Sequence, residues 1–370
     1  MWDWCEIGTH LVGQMEVCMK LRREYRVIKE ILNIYNKLTD DKSRQIFDAR
    51  MQFMFDKDPY KYFDTVKEDK YYACEFETFY QKYKNRKIVL YGAGQEGRHT
   101  YKVLKLCGYN VDYFCDSNFK LWGTKIGDVF VLPLQDLVSR SSDYVIVIST
   151  SAWCSDIYEK LLACGIDREY LFYPKRRFIM GKCGWQYFDF FLPNNNEVFI
   201  DAGAYDGSTS IEFAKWTNKS YKKIILFEPS LGNETMCRKL LNENGIRDSE
   251  LIMKAVWDKC EKVSFNGGGE RGARVLENGE VFIEAASIDS ELMGEEVSFI
   301  KMDVEGSEYK AIMGSETTIK KYKPRLAISV YHADEDFIKI PALLLMLNPD
   351  YQFAYRHYTT SMEETVLYAW

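Results

Sequence analysis

The chain lacks the residue groupings that mark metal-binding, secreted or membrane-embedded proteins. Its ten cysteines include no Cys-x-x-Cys pair and only four histidines accompany them, which predicts no metal site. The apolar runs are too short to cross a bilayer. The opening residues are acidic and carry no basic region ahead of an apolar stretch, so we expect no signal peptide. Scattered thiols without a disulfide framework favour the reducing cytoplasm.

Positive charge is also scarce. The 49 basic and 55 acidic residues give a formal net charge of −6. Because nucleic-acid phosphates require a basic face, we expect no nucleic-acid partner. Hydrophobic residues at 46% and charged residues at 28% are typical of folded domains, and 370 residues suffice for two or three of them.

Residues 1–84 carry apolar side chains at helical spacing and contain no glycine-rich turn. One run includes Leu21, Tyr25 and Ile28, and a second follows the Asp40-Asp41 cap. We therefore predict a helical N-terminal region over residues 1–84.

A first glycine loop follows the apolar run Ile88–Tyr91. The sequence Gly92-Ala-Gly94-Gln-Glu-Gly97 precedes a helical pattern, and the next strand ends at Asp116, 19 positions after the last glycine. Strand, glycine turn, helix and acidic strand end form a dinucleotide-type fingerprint. The pattern predicts a smaller Rossmann-like α/β domain over residues 85–180.

The sequence does not identify the ligand of this first loop. The domain is about half the size of a full dinucleotide-binding sheet, and no hydride-transfer residues follow it. A nucleotide, a nucleotide-sugar or NAD at Gly92, Gly94, Gly97 and Asp116 is one interpretation. A degenerate domain with a structural or sensing role is the other, and we favour it here.

A second glycine loop follows the apolar run Val198–Ile200. The strand ends on Asp201, and Gly203 and Gly207 precede a helical pattern. A carboxylate at such a turn suits a cationic or hydroxyl-bearing small molecule better than a bare phosphate. An ordinary βα turn is the alternative interpretation.

Later strands of the same region also end on polar side chains. The predicted strands are 223–228, 251–256, 297–303 and 326–331, and three of them place Glu228, Asp303 and His332 at their ends. Because parallel strands present their carboxyl ends at one edge of a sheet, we expect these side chains to converge with Asp201. A strand-end carboxylate such as Glu228 accepts ribose hydroxyls, and a further carboxylate suits a sulfonium or amino group. Together they indicate S-adenosylmethionine.

Three motifs resemble those of the FkbM family of S-adenosylmethionine-dependent methyltransferases. They are Val-Phe-Ile-Asp-Ala-Gly-Ala-Tyr-Asp-Gly-Ser-Thr at 198–209, Leu-Phe-Glu-Pro at 226–229, and Phe-Ile-Lys-Met-Asp-Val-Glu-Gly-Ser-Glu at 299–308. The resemblance covers roughly residues 185–370 and implies a class I methyltransferase-type Rossmann-like sheet of seven strands whose final strand is antiparallel. It also implies methyl transfer, usually to a hydroxyl oxygen. We therefore predict a methyltransferase domain over residues 181–370.

The resemblance further implies which residues form the site. The cofactor-binding set would be Asp201, Gly203, Ala204, Tyr205, Gly207, Glu228, Pro229 and Glu305. Asp303 and Glu305 would face the methyl group and the acceptor. His332 is the first candidate for the base and Asp303 the second, although His332 could equally be a packed, hydrogen-bonded residue. Glu308 is expected to be a solvent-facing helix carboxylate.

The sequence thus predicts a cytoplasmic S-adenosylmethionine-dependent O-methyltransferase. Its acceptor would be a small molecule or glycan, through a hydroxyl of a sugar, a polysaccharide or a secondary metabolite. The alternative is a catalytically silent sensor or scaffold that binds a nucleotide or nucleotide-sugar. The sequence leaves the acceptor and the oligomeric state open.

Overall fold

The computed structural model describes residues 25, 27–66, 74–150, 154–172, 185–266, 274–275, 281–359 and 362–370. The chain divides into two compact units. The first unit comprises the described residues up to Phe47, together with Tyr187–Arg356 and Thr365–Trp370. The second unit comprises the described residues of Asp48–Gln186 and His357–Glu364.

The described part of the N-terminal region is helical, as its apolar spacing predicts. Residues 27–36 are helical, and the helices α1 (Asp41–Asp56), α2 (Pro59–Val66) and α3 (Cys74–Lys82) follow. Leu21 lies outside the described residues. The domain boundaries 84/85 and 180/181 stay predictions, and the second of them falls outside the described residues.

The second unit contains a six-stranded sheet in the order β3-β4-β2-β1-β5-β6. All neighbouring strands are parallel except β3 and β4. Apolar side chains alternate between the two faces of β1, so that Ile88 and Leu90 pack into one core and Val89 and Tyr91 into the other. The bounds are β1 (Lys87–Tyr91), α4 (Gln95–Leu106), β2 (Tyr113–Cys115), β3 (Lys125–Ile126), β4 (Val129–Leu132), α5 (Leu134–Ser139), β5 (Tyr144–Ile148), α6 (Cys154–Ala163) and β6 (Leu171–Phe172).

The first unit contains a seven-stranded sheet in the order β16-β17-β15-β14-β7-β8-β9. The strands from β15 to β9 run parallel, and β17 is antiparallel to β15, so the predicted architecture is confirmed. The bounds are β7 (Glu197–Ala202), α7 (Ser208–Trp216), β8 (Tyr221–Phe227), α8 (Leu231–Glu243), β9 (Ser249–Ile252), β14 (Phe299–Met302), α10 (Glu308–Met313), α11 (Glu316–Tyr322), β15 (Arg325–Ser329), α12 (Asp336–Leu347), β16 (Phe353–His357) and β17 (Thr365–Ala369).

The single strand predicted over 251–256 is wrong. The chain instead forms β9, breaks at Met253 and Lys254, and enters a separate four-stranded sheet in the order β10-β13-β11-β12. The break turns tightly, because the Lys254 amide donates to Ile252 O at 2.9 Å. The bounds are β10 (Ala255–Val256), β11 (Glu261–Asn266), β12 (Arg274–Val275), β13 (Val281–Ala286) and α9 (Ile288–Leu292). Among the described residues, no helix is long and apolar enough to cross a membrane.

Candidate active site

The second glycine loop is held closely between two neighbouring strands. The amides of Gly203 and Ala204 both donate to Phe227 O, at 3.1 and 2.9 Å. Gly203 has a φ of +82°, and a Cβ at this position would lie 1.9 Å from Asp303 O. Only glycine satisfies both conditions. The turn after β7 is therefore fixed against the ends of β8 and β14.

Asp201 lies beneath this loop in a buried ion pair that the sequence analysis missed. Its register partner on β14 is Lys301, whose Nζ lies 3.0 Å from Asp201 Oδ1. Lys301 Nζ also donates to Gly203 O at 2.7 Å, and Ser210 Oγ donates to Asp201 Oδ2 at 2.8 Å. Burial would lower the pKa of Lys301, but the carboxylates of Asp201 and Asp303 raise it. A lysine within the apolar strand 299–302 was the available signal.

Glu228 lies at the end of β8 with its carboxylate fixed by three donors. The amides of Tyr205 and Ser230 donate to it, each at 2.9 Å, and Asn233 Nδ2 donates at 3.1 Å. Burial raises the pKa of Glu228 above its usual value despite these bonds. Tyr205 has a φ of +53°, which turns its amide toward this carboxylate. Pro229 follows and is half-buried.

Asp303 lies just beyond β14 and accepts hydrogen bonds from two tyrosine hydroxyls. Tyr187 donates to Oδ2 at 2.9 Å and Tyr331 donates to Oδ1 at 3.3 Å. Burial would raise the pKa of Asp303, but the charges of Lys301 and His332 lower it below its usual value. Asp303 is therefore a carboxylate at neutral pH. The sequence analysis did not identify Tyr187 as a site residue.

His332 follows β15 and lies among three carboxylates. Its Nδ1 is 3.0 Å from Glu308 Oε1, and its Nε2 is 3.3 Å from Glu305 Oε2 and 3.7 Å from Asp303 Oδ1. Burial would lower the pKa of His332, but Glu305, Glu308 and Asp303 raise it to about 11. The ring is therefore protonated at neutral pH.

The same cluster has the spacing of a metal-binding group. Asp303, Glu308 and His332 each offer a ligand atom, and these atoms lie within 4.8 Å of one another. Glu308 is fully buried, so its predicted solvent exposure is wrong. Its Oε1 accepts the Val304 amide at 2.9 Å, which holds the start of α10 against the end of β14. The ion pair with His332 offsets the buried charge of Glu308, whereas Glu308 Oε2 and both ring nitrogens of His332 form no hydrogen bond with the described residues.

The structure thus brings the strand-end residues together along four adjacent strands, from Glu228 on β8 to His332 beyond β15. Gly207 has a φ of +79° and precedes α7, and an added Cβ there would lie 2.9 Å from Cys237 Sγ. Glu305 is half-buried with a φ of +53°. The residues of the first glycine loop belong to the second unit.

Five of the seven strands run parallel, and β17, the second strand from one edge, is antiparallel to β15. Together with the polar residues at the strand ends, this arrangement defines the Rossmann-like methyltransferase fold. Residues 201–356 match the family model described as the methyltransferase FkbM domain. The C-terminal half of the chain therefore carries an FkbM methyltransferase domain. Residues 84–172 match a second family model, described as C2185-like, N-terminal.

Solved structures extend this likeness. Methyltransferase FkbM from Methylobacillus flagellatus KT is 16% identical, aligns over 89% of this chain and 99% of its own, and gives a TM-score of 0.50. An rRNA methylase from Streptococcus thermophilus is 14% identical over 48% of this chain and 87% of its own, with a TM-score of 0.32. Fibrillarin from Aeropyrum pernix, solved with natively bound S-adenosyl-L-methionine, is 9% identical over 48% and 68%, also at 0.32. The search of curated sequences found no match.

Proposed function

We propose that the FkbM domain is an S-adenosylmethionine-dependent O-methyltransferase that acts on a hydroxyl of a sugar, a polysaccharide or a secondary metabolite. The observation that carries the proposal is a pair of carboxylates at the carboxyl ends of β8 and β14, the two strands on either side of β7. Glu228 lies beyond β8, and Asp303 lies beyond β14 with His332 beside it. In this fold, ligands gather outside the carboxyl ends of the strands.

The residues present suit the cofactor. Glu228 accepts two hydrogen bonds at Oε1 and one at Oε2, so Oε2 retains capacity for one hydroxyl donor, such as a ribose hydroxyl. Gly203, Ala204, Tyr205 and Gly207 would hold the methionine portion, with Pro229 and Glu305 at the margins. When bound, S-adenosylmethionine supplies an electrophilic methyl group on a sulfonium. Both oxygens of Asp201 already have partners, Lys301 Nζ and Ser210 Oγ. In our proposal Asp201 therefore affects the cofactor site indirectly, through its ion pair with Lys301.

The acceptor side depends on Asp303. Its carboxylate is ionised and is oriented by Tyr187 and Tyr331, so it can take the proton of an acceptor hydroxyl. His332 is protonated at neutral pH and cannot start as the base. Our proposal therefore places Asp303 before His332, the reverse of the sequence-based order. His332 then serves as a positioning residue that keeps neighbouring carboxylates charged.

Isothermal titration calorimetry with S-adenosylmethionine tests the cofactor assignment. We expect saturable binding to the full chain, and a folded sample that binds none would remove the proposal. The variant Glu228→Gln should weaken binding, because the amide cannot accept as many hydrogen bonds as the carboxylate.

The base assignment predicts a separate outcome. Asp303→Asn should lower turnover by about 100-fold or more while leaving S-adenosylmethionine affinity nearly intact. Asp248→Asn is the matched control, since Asp248 is exposed with a φ of +53°, a conformation that asparagine tolerates. Retained turnover in Asp303→Asn, together with its loss in His332→Gln, would return the base to His332. Screening hydroxyl compounds of different classes with labelled methyl donor would identify the acceptor.

A catalytically silent sensor or scaffold is the second candidate function, and the cavity beside the first glycine loop favours it. Such a protein would bind a nucleotide in the second unit and show no S-adenosylmethionine binding in the first. Either function fits the cytoplasm in our proposal, because six cysteines are free thiols, namely Cys107, Cys115, Cys154, Cys164, Cys237 and Cys260.

A further inference from the structure

A cavity of about 560 Å³ lies beside the first glycine loop, entirely within the second unit. Its wall includes the end of β1, the loop itself, the end of β2, the end of β5 and one side of α6. This volume falls in the range of small-molecule sites. The proposed methyl transfer uses none of these residues.

One buried polar group in the cavity wall has no partner. Tyr91 is 2% exposed, and its hydroxyl forms no hydrogen bond with the described residues. The ring packs on the face of the sheet covered by α6, whose Ile157 and Lys160 also line the cavity. Burial raises the pKa of Tyr91 to about 12, so the hydroxyl keeps its proton. The hydroxyl has almost no accessible surface, so it lies within the wall and does not face the cavity.

The loop leaves space where a ligand would lie. A Cβ added at Gly97 would collide with Gly92 O at 1.9 Å, so this glycine closes the turn against itself. A Cβ added at Gly94 would meet nothing within 4 Å. Gly94 is also the N-cap of the 12-residue helix α4, and no side chain caps that end. The amide groups at this helix start therefore lie at the cavity wall, where they favour an anionic group.

Asp116 supplies a fixed acceptor at the end of β2. Its Oδ2 accepts the Ala93 amide and its Oδ1 accepts the Asn118 amide, each at 2.7 Å. Each oxygen keeps a further lone pair, which suits a pair of vicinal hydroxyls. The lining also carries Glu96 and Asp156 against a single cation, Lys160. This balance disfavours a terminal polyphosphate and favours a diphosphate that is esterified at both ends.

We propose that this cavity binds a ribonucleotide diphosphate diester, that is, a dinucleotide or a nucleotide-sugar. The ribose hydroxyls bond Asp116, and the diphosphate lies at the start of α4. The site does not depend on methyl transfer. It is a binding site of the second unit in its own right.

Calorimetry on the full chain with NAD⁺ and with UDP-glucose tests the proposal. We expect saturable one-to-one binding of at least one of them, and no binding of inorganic pyrophosphate. Each has a ribose control: NADP⁺ carries a 2′-phosphate and dTDP-glucose lacks the 2′-hydroxyl. The control should bind at least tenfold more weakly than its counterpart. No binding of NAD⁺ or UDP-glucose, equal binding of pyrophosphate, or indifference to the 2′ position would each overturn the proposal.

Two variants locate the site. Gly94→Asp adds a carboxylate in the open space and should weaken binding about tenfold more than Gly94→Asn, which has the same shape without the charge. Both side chains cap helices, so folding is preserved. Tyr91→Phe is the control and should leave binding nearly unchanged, because the hydroxyl does not face the cavity. Equal affinity of the two Gly94 variants would place the ligand elsewhere and refute the assignment.

Discussion

The two glycine loops of this chain look alike in sequence, but the surroundings of their glycines differ in the structure. At the second loop, Gly203 is required because the backbone of Asp303 lies within 1.9 Å of any added Cβ. At the first loop, Gly94 faces open space, whereas Gly97 and Gly92 are close to each other and to Ser149 Oγ. Glycine thus permits close strand packing in one case and leaves room for a ligand in the other.

The carboxylates beneath the loops differ in the same way. Asp201 is fully buried and forms an ion pair with Lys301. Asp116 is half-buried and bonds two backbone amides. The buried pair fixes Asp201 within the sheet, whereas the oxygens of Asp116 keep lone pairs that suit a ligand. Tests of this contrast follow, from the largest expected effect to the smallest.

Lys301→Met should give the largest loss of stability. The substitution leaves Asp201 buried without a cation, which typically costs about 3–5 kcal/mol. Lys160→Met is the matched control beside the first loop, where the lysine is exposed and the change should cost about 0.5 kcal/mol or less. Urea unfolding of both variants measures the difference. A small effect at Lys301 would mean that water or relaxation compensates the buried carboxylate.

Gly203→Ala should destabilise the protein by about 3 kcal/mol, because the added Cβ clashes with backbone and the φ of +82° is unfavourable for alanine. Gly94→Ala, at a φ of −75° with open space around it, should change stability little. The comparison again uses urea unfolding. Equal losses at the two positions would show that the loops are constrained alike.

His332→Gln should cost about 3 kcal/mol near pH 6, because the loss of the cation leaves the buried carboxylate of Glu308 unpaired. The folded pKa of about 11 lies above the unfolded value of 6.5, so the contribution of His332 is complete below pH 6.5 and declines as pH rises toward 11. The stability difference between wild type and variant, measured from pH 6 to 10, should therefore shrink. A difference that stays constant with pH would show that the ring is neutral throughout.

The strand ends and the two glycine turns could be predicted from local pattern alone. The run 198–200 is apolar, the run 299–302 is apolar apart from Lys301, and Asp201 and Asp303 follow them. The break within 251–256 could not be predicted, because Met253 and Lys254 do not interrupt the apolar pattern decisively. Whether that segment continues in one sheet or enters another depends on pairing with β13, which is distant in sequence.

Glu308 and Lys301 show the same limit at the level of single side chains. Charged side chains such as these are expected at the surface. Both are buried, because each has a partner of opposite charge at the end of another strand. Such partners are brought together by strand register and crossover connections, which sequence periodicity does not specify.

The sequence by itself determined the alternation of strands and helices, the two glycine turns and the FkbM motifs, since these rest on local spacing and backbone preference. The tertiary structure decided which charges meet. It paired Lys301 with Asp201, surrounded His332 with carboxylates that raise its pKa to about 11, and left the Tyr91 hydroxyl without a partner beside a cavity. Electrostatic energies depend on distance and burial, and both are properties of the folded chain.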